Sequence, residues 1–164
     1  MKHILIAALM LLVLPFAGAH EFSAKAINID HPWAKPNASA EVPGLVYFTL
    51  ENKGAESDRL LEVTVDTKIA KASMLRSINR AGGKVQISYL ANGLDVPAGA
   101  PMAEGYYVML TGLSEALSEG RRFPITLVFE RAGEVEVEVV VEKAPKPVRH
   151  PVAASHTGHE GHGS

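Results

Sequence analysis

The chain has 164 residues, with Lys+Arg 16 against Asp+Glu 18 and a formal net charge of −2. That balance gives no basis for binding nucleic acid or any other polyelectrolyte. There is no cysteine, which excludes thiolate metal sites, disulfides and cysteine nucleophiles, so a soft metal has only Met and His to bind.

Residues 1–19 carry Lys2, an apolar run from Ile4 to Val13 and a small-residue end at Ala17-Gly18-Ala19. This is the pattern of a cleavable secretory signal peptide. The apolar run is short for a bilayer span, so no stable membrane anchor is expected after cleavage. Cleavage would leave His20 at the terminus, where the α-amine and imidazole together can chelate a metal; a frayed, solvated end is the plainer reading.

Phe22 to Ile29 reads as a first strand, ended or edged by Pro32. His31 is expected as a structural polar residue beside a buried Trp33. Lys35 to Gly44 is a loop, Leu45 to Leu50 a strand, and Asn52-Lys53-Gly54 its turn. Asp58 to Val65 reads as a strand. Lys68 to Ile78, which carries Met74, fits a strand or a short helix. Ala81-Gly82-Gly83 is a turn, and Lys84 to Leu90 alternates Val85, Ile87 and Tyr89 as a strand.

Val96-Pro97-Ala98-Gly99 and Glu104-Gly105 bound the next stretch, after which Tyr106 to Leu110 reads as a strand. Tyr107 and Met109 leave the same face of it. Met109 is either a core filler or a thioether ligand suited to Cu(I). Ser114 to Gly120 is a polar turn. Phe123 to Glu130 and Glu134 to Glu142 are strands around Ala132-Gly133, the second with its glutamates toward water. Six or more short strands and no long amphipathic helix predict an all-β sandwich.

The domain ends at Ala144, and residues 145–164 form a disordered His-rich tail by composition. His150, His156, His159 and His162 lie in it, with Gly158 and Gly161 between the last three. Such a tract suits Cu(II), Zn or Ni, and the alternatives are a solubilising tail or a purification scar. Serine-hydrolase, phosphate-loop and His-Glu-x-x-His motifs are absent, so no enzyme is predicted.

The blocks IDHPWAKP, VYFTLENKG, DRLLEV, PAG, EGYYVMLTGL and GRRFPITLVFERAGEVEVEV resemble the periplasmic copper chaperone family PCuAC, over about Phe22 to Glu142. The resemblance implies a cupredoxin-like Greek-key β-sandwich in residues 20–144. It also implies a periplasmic location and copper delivery to a membrane-bound copper enzyme, such as a respiratory oxidase, or to its assembly factor. The family's Cu(I) motif is His or Met, ten residues, Met, twenty-one residues, His, one residue, Met. Counted back from Met109, its positions fall on Tyr107, Val85 and Met74. Met74 and Met109 match, and should lie together on adjacent strands at one end of the sandwich; Tyr107 and Val85 depart from the motif. Two other readings therefore stand beside the chaperone: a degenerate member serving as a structural or protein-interaction module, and a zinc or nickel buffer acting through the tail.

Overall fold

A computed structural model describes residues 21–24, 26–102 and 104–143. Eleven strands run in chain order: β1 (Glu21–Ala24), β2 (Ile27–Ala34), β3 (Gly44–Asn52), β4 (Asp58–Thr64), β5 (Ala70–Ala81), β6 (Lys84–Tyr89), β7 (Leu94–Val96), β8 (Pro101–Met102), β9 (Tyr106–Leu113), β10 (Arg122–Phe129) and β11 (Gly133–Val141). They pair in the order β6-β5-β9-β3-β2-β11-β10-β4-β7, with β1 added to β2 and β8 to β3. All pairings are antiparallel except β11 with β2. The sheet folds back on itself, and the Ser73 hydroxyl of β5 donates to the Val63 carbonyl of β4 where the layers meet.

Every second residue of β3, β10 and β11 enters the core, as half-buried antiparallel strands require. Val46, Phe48 and Leu50 of β3 meet Val108 and Leu110 of β9 there, with Ile125 and Leu127 of β10. Fully burying each such side chain contributes about 1.5–3 kcal/mol.

In two strands the alternation breaks at a bulge. In β2 the pairing steps from Asp30↔Thr49 to Trp33↔Tyr47, so His31 and Pro32 together oppose Phe48. His31 adopts φ +49° there. Its Nε2 sits 2.7 Å from Glu142 Oε1. The bulge exchanges the faces: Ile27 and Ile29 point inward before it, Pro32 and Ala34 after it. Trp33 is thereby turned outward and is half-buried, not the core residue the sequence suggested. Pro32 also does not end the strand, because an extra residue absorbs its missing donor. In β4 the pairing with β10 steps from Glu62 to Leu60 and skips Leu61. This is how Leu60 and Val63, three apart, are both buried while Leu61 is exposed.

Other boundaries moved. The first expected strand divides into the hairpin β1–β2, with Ala26 in its turn. The ambiguous segment is strand β5, its hairpin to β6 closed by Gly82 (φ +57°) and Gly83 (φ +74°), the left-handed pair of a tight primed turn. The short strands β7 and β8 were not foreseen. No helix occurs among the described residues.

Two polar side chains fasten turns and strand ends to the sheet. Asp58, nearly buried, accepts from the backbone N–H of Arg59 (2.7 Å), Arg131 (2.9 Å) and Ala132 (2.9 Å), fastening the β10–β11 turn to β4. Asp58→Ala leaves these donors bare and should cost about 3 kcal/mol in a urea unfolding experiment. The buried Tyr106 hydroxyl has the Met102 carbonyl at 2.5 Å and the Phe48 carbonyl at 2.9 Å as acceptors, tying β8 to β9. Burial pushes this phenol well above its ordinary value. The neutral form is favoured in the folded chain, so its contribution is complete below the unfolded value near pH 10 and is lost as pH rises toward the folded one. Tyr106→Phe should cost about 1 kcal/mol at neutral pH. Its stability should then fall less steeply than wild type above about pH 10, read from unfolding midpoints across that range.

Candidate metal centre

β9 lies between β3 and β5, and its side chains leave alternate faces from Tyr106 to Thr111. Tyr106, Val108 and Leu110 enter the core, so Tyr107, Met109 and Thr111 take the outer face. On β5, Leu75 is buried opposite Val108, and its neighbour Met74 therefore faces outward as well.

Met74 and Met109 are direct cross-strand partners. Side chains so placed share a face with their Cβ atoms about 4.5–5.5 Å apart, within reach of one ion for two long thioethers. Both are partly exposed. Leu45 of β3 is the partner of Met109 on its other side and extends the row. The pair sits in the body of both strands, not at an end of the sandwich as the sequence suggested.

Alongside runs a second row. Trp33 stacks on Tyr47 at 4.8 Å, and the Tyr47 and Tyr107 rings lie 6.2 Å apart. Arg76 is the β5 partner of Tyr107, and Tyr89 the β6 partner of Arg76. The row thus crosses five strands next to the methionines. Burial raises the Tyr47 phenol, and Tyr107 adds to the effect, while Arg80 works against it. Arg76 Nε is buried without a hydrogen-bond partner. A groove of about 350 Å³ flanks the row, lined by Tyr47, Tyr107, Ile78 and Ile87, with Arg80 and Glu104 among its polar groups.

The motif positions read from spacing separate here. Tyr107 adjoins the methionine pair diagonally, but its ring packs in the aromatic row, and a phenol is a hard ligand poorly matched to Cu(I). Val85 pairs with Arg80, six residues along β5 from Met74, about 20 Å at strand spacing. It cannot share an ion with the pair. His31 is engaged with Glu142, away from the two sulfurs in the pairing order. No cluster of three or more His, Asp or Glu able to hold a metal occurs among the described residues. His20, His150, His156, His159 and His162, and the signal peptide, lie outside the described residues.

Sequence reasoning missed Trp33, Tyr47 and Arg76 as members of this face. The alternation of β3 carried the signal for Tyr47. Trp33 required knowing the bulge, and Arg76 required the β5 register.

A family model described as putative lipoprotein LpqE-like matches residues 27–141. Comparison with curated proteins finds no match. Among solved structures, the apo PCuAC domain from PmoF1 is 25% identical with a TM-score of 0.61, covering 75% of this chain and 98% of that one. The copper-bound PCuAC domain from PmoF2 is also 25% identical, with a TM-score of 0.59 and coverage of 75% and 97%. The CuI form of DR1885 from Deinococcus radiodurans is 26% identical, with a TM-score of 0.52 and coverage of 78% and 84%. The fold is the cupredoxin-like β-sandwich of PCuAC domains. With its model matched over residues 27–141, the chain belongs to the LpqE-like family, of PCuAC type.

Proposed function

We propose that this is an exported copper-binding protein of the chaperone type, a binding protein and not an enzyme. The observation that carries the reading is the in-register, outward-facing pair Met74–Met109 in a chain whose structural neighbours include copper-bound PCuAC domains. Copper is the cargo. Two thioethers suit Cu(I) and leave its coordination incomplete. An incomplete, solvent-accessible site binds weakly and gives up its ion readily, which favours transfer to a client over storage. The client in this reading is a membrane-bound copper enzyme or its assembly factor, reached in the periplasm after removal of residues 1–19.

The second metal-binding element is the segment 145–164. His156, His159 and His162 fall within seven residues, with His150 nearby and His20 at the other end of the exported chain. Three neutral imidazoles meet most of the needs of Cu(II) or Zn. Binding requires deprotonated rings, so it weakens as pH falls through about 6.5.

One observation favours a second reading, in which the domain is chiefly an interaction module. Tyr107 stands where the family motif has His, and the aromatic row it joins is a partly exposed surface of the kind that proteins dock on.

Titration with Cu(I), Cu(II) and Zn separates these readings. Met109→Leu should abolish Cu(I) binding by the β-domain. Tyr107→His, which supplies a borderline nitrogen beside both sulfurs, should tighten Cu(I) binding at least about tenfold. Truncation after Val148 should remove most Cu(II) binding while leaving the domain folded. Unchanged Cu(I) affinity in Met109→Leu, or none in the wild type, contradicts the chaperone reading and leaves the interaction module.

A further inference from the structure

β6 ends the pairing order of the sheet, with β5 on one side and, among the described residues, no strand on the other. All six of its residues are exposed. Val85 is 59%, Ile87 47% and Tyr89 60% exposed, three large apolar side chains on one face. Gln86 and Ser88 take the opposite face. The hairpin pairing puts the apolar three on the side of Ile78 and Arg76, hence on the face that carries Met74.

The backbone of the same three residues is the unpaired part. Leu90 N–H donates to the Leu75 carbonyl, 3.1 Å away, so Leu90 points toward β5. Alternation along the strand turns the N–H and C=O of Val85, Ile87 and Tyr89 away from β5. Ile78, the partner of Ile87, obeys the same alternation and donates its N–H the other way, to Gly105 O at 2.8 Å. β6 therefore presents free backbone groups and apolar side chains from the same residues. It has none of the usual protections of an edge: no proline, no bulge, and no charge between Val85 and Tyr89.

We propose that β6 is a self-association edge, pairing antiparallel with β6 of a second copy about a two-fold axis at Ile87. The strand is complementary to itself in that register. Ile87 faces Ile87 of the other copy, and Val85 faces Tyr89, so apolar meets apolar on one side. Gln86 faces Ser88 on the other. Lys84 meets Leu90 and no like charge. All three outward residues enter hydrogen-bonded pairs. A two-fold axis normal to the sheet keeps the same face of both copies on the same side, so the dimer shows both Met74–Met109 pairs on one continuous surface. A single strand pair is a small interface, and association is concentration dependent.

The test is sedimentation of the full chain from about 10 μM to about 1 mM. The weight-average mass should rise from one chain toward two. Ile87→Lys sets two like charges against each other on the axis, and Ile87→Pro removes an outward donor without touching the β5 ladder. Both should hold the mass at one chain with unchanged far-UV circular dichroism. Because the chain lacks cysteine, mild oxidation gives a register readout. Ile87→Cys should cross-link as a dimer, and Lys84→Cys, also exposed, should not. A one-chain mass across the whole range, a mass increase that survives Ile87→Lys, or equal cross-linking of the two cysteine variants overturns the proposal.

Discussion

The register of β9 between β3 and β5 fixes everything on the candidate face. Val108 and Leu110 are fully buried, and sliding β9 by one residue would put Tyr107 and Met109 in the core and expose those two. The cost of that exchange is several kilocalories per mole by area alone, on the order of 1.5–3 kcal/mol for each buried aliphatic side chain. The core, not the site, therefore pins Met109 opposite Met74 and Tyr107 opposite Arg76. Ligand identity at the outer positions is free to drift without loss of the fold, because the fold does not depend on which side chains stand there. A family can thus keep its sandwich while Tyr replaces His beside the methionines.

The two bulges show the same logic from the other direction. Each inserts one residue where an uninterrupted strand would put a side chain on the wrong face. At His31–Pro32 the insertion keeps Ile29 and Ala34 both in the core and delivers Trp33 to the outer face, where Tyr47 is waiting to stack. At Leu61 it keeps both Leu60 and Val63 inside. The left-handed backbone at His31 is uncommon for a non-glycine residue. It is held by its place in the ladder and by the carboxylate of Glu142.

These features explain what was legible in the sequence. Strand positions and the all-β class followed from alternation, and the placement of Met74 beside Met109 on adjacent strands followed from the resemblance to the PCuAC motif; that the two strands run antiparallel came from the structure. Val85 illustrates the limit. Spacing along the chain placed it with the ligands, but the Gly82-Gly83 turn fixes the β5–β6 register and carries Val85 to the far end of the hairpin. Trp33 was misplaced because a bulge reverses faces without leaving a period-two signature. Arg76 and Tyr89 belong to the aromatic row through pairings between strands, and no pattern within one strand records those. The free edge of β6 was hidden for the same reason, since being last in a sheet is a property of topology.

In the proposed function the domain offers a partly exposed thioether pair, and the chain adds a His-rich segment whose imidazoles suit harder ions. Soft and borderline ligands on one polypeptide suit an ion that is handled in two oxidation states. The central claim is that Met74 and Met109 act together on one soft ion. Methionine-methyl NMR of the full chain during titration with Cu(I), or with Ag(I) as a redox-inert substitute, reads it directly. The account predicts that the Met74 and Met109 methyl signals shift together and saturate at one equivalent, while Met102, at the edge of the core, stays in place. Independent shifts, or a titration that leaves both signals unmoved, would contradict it.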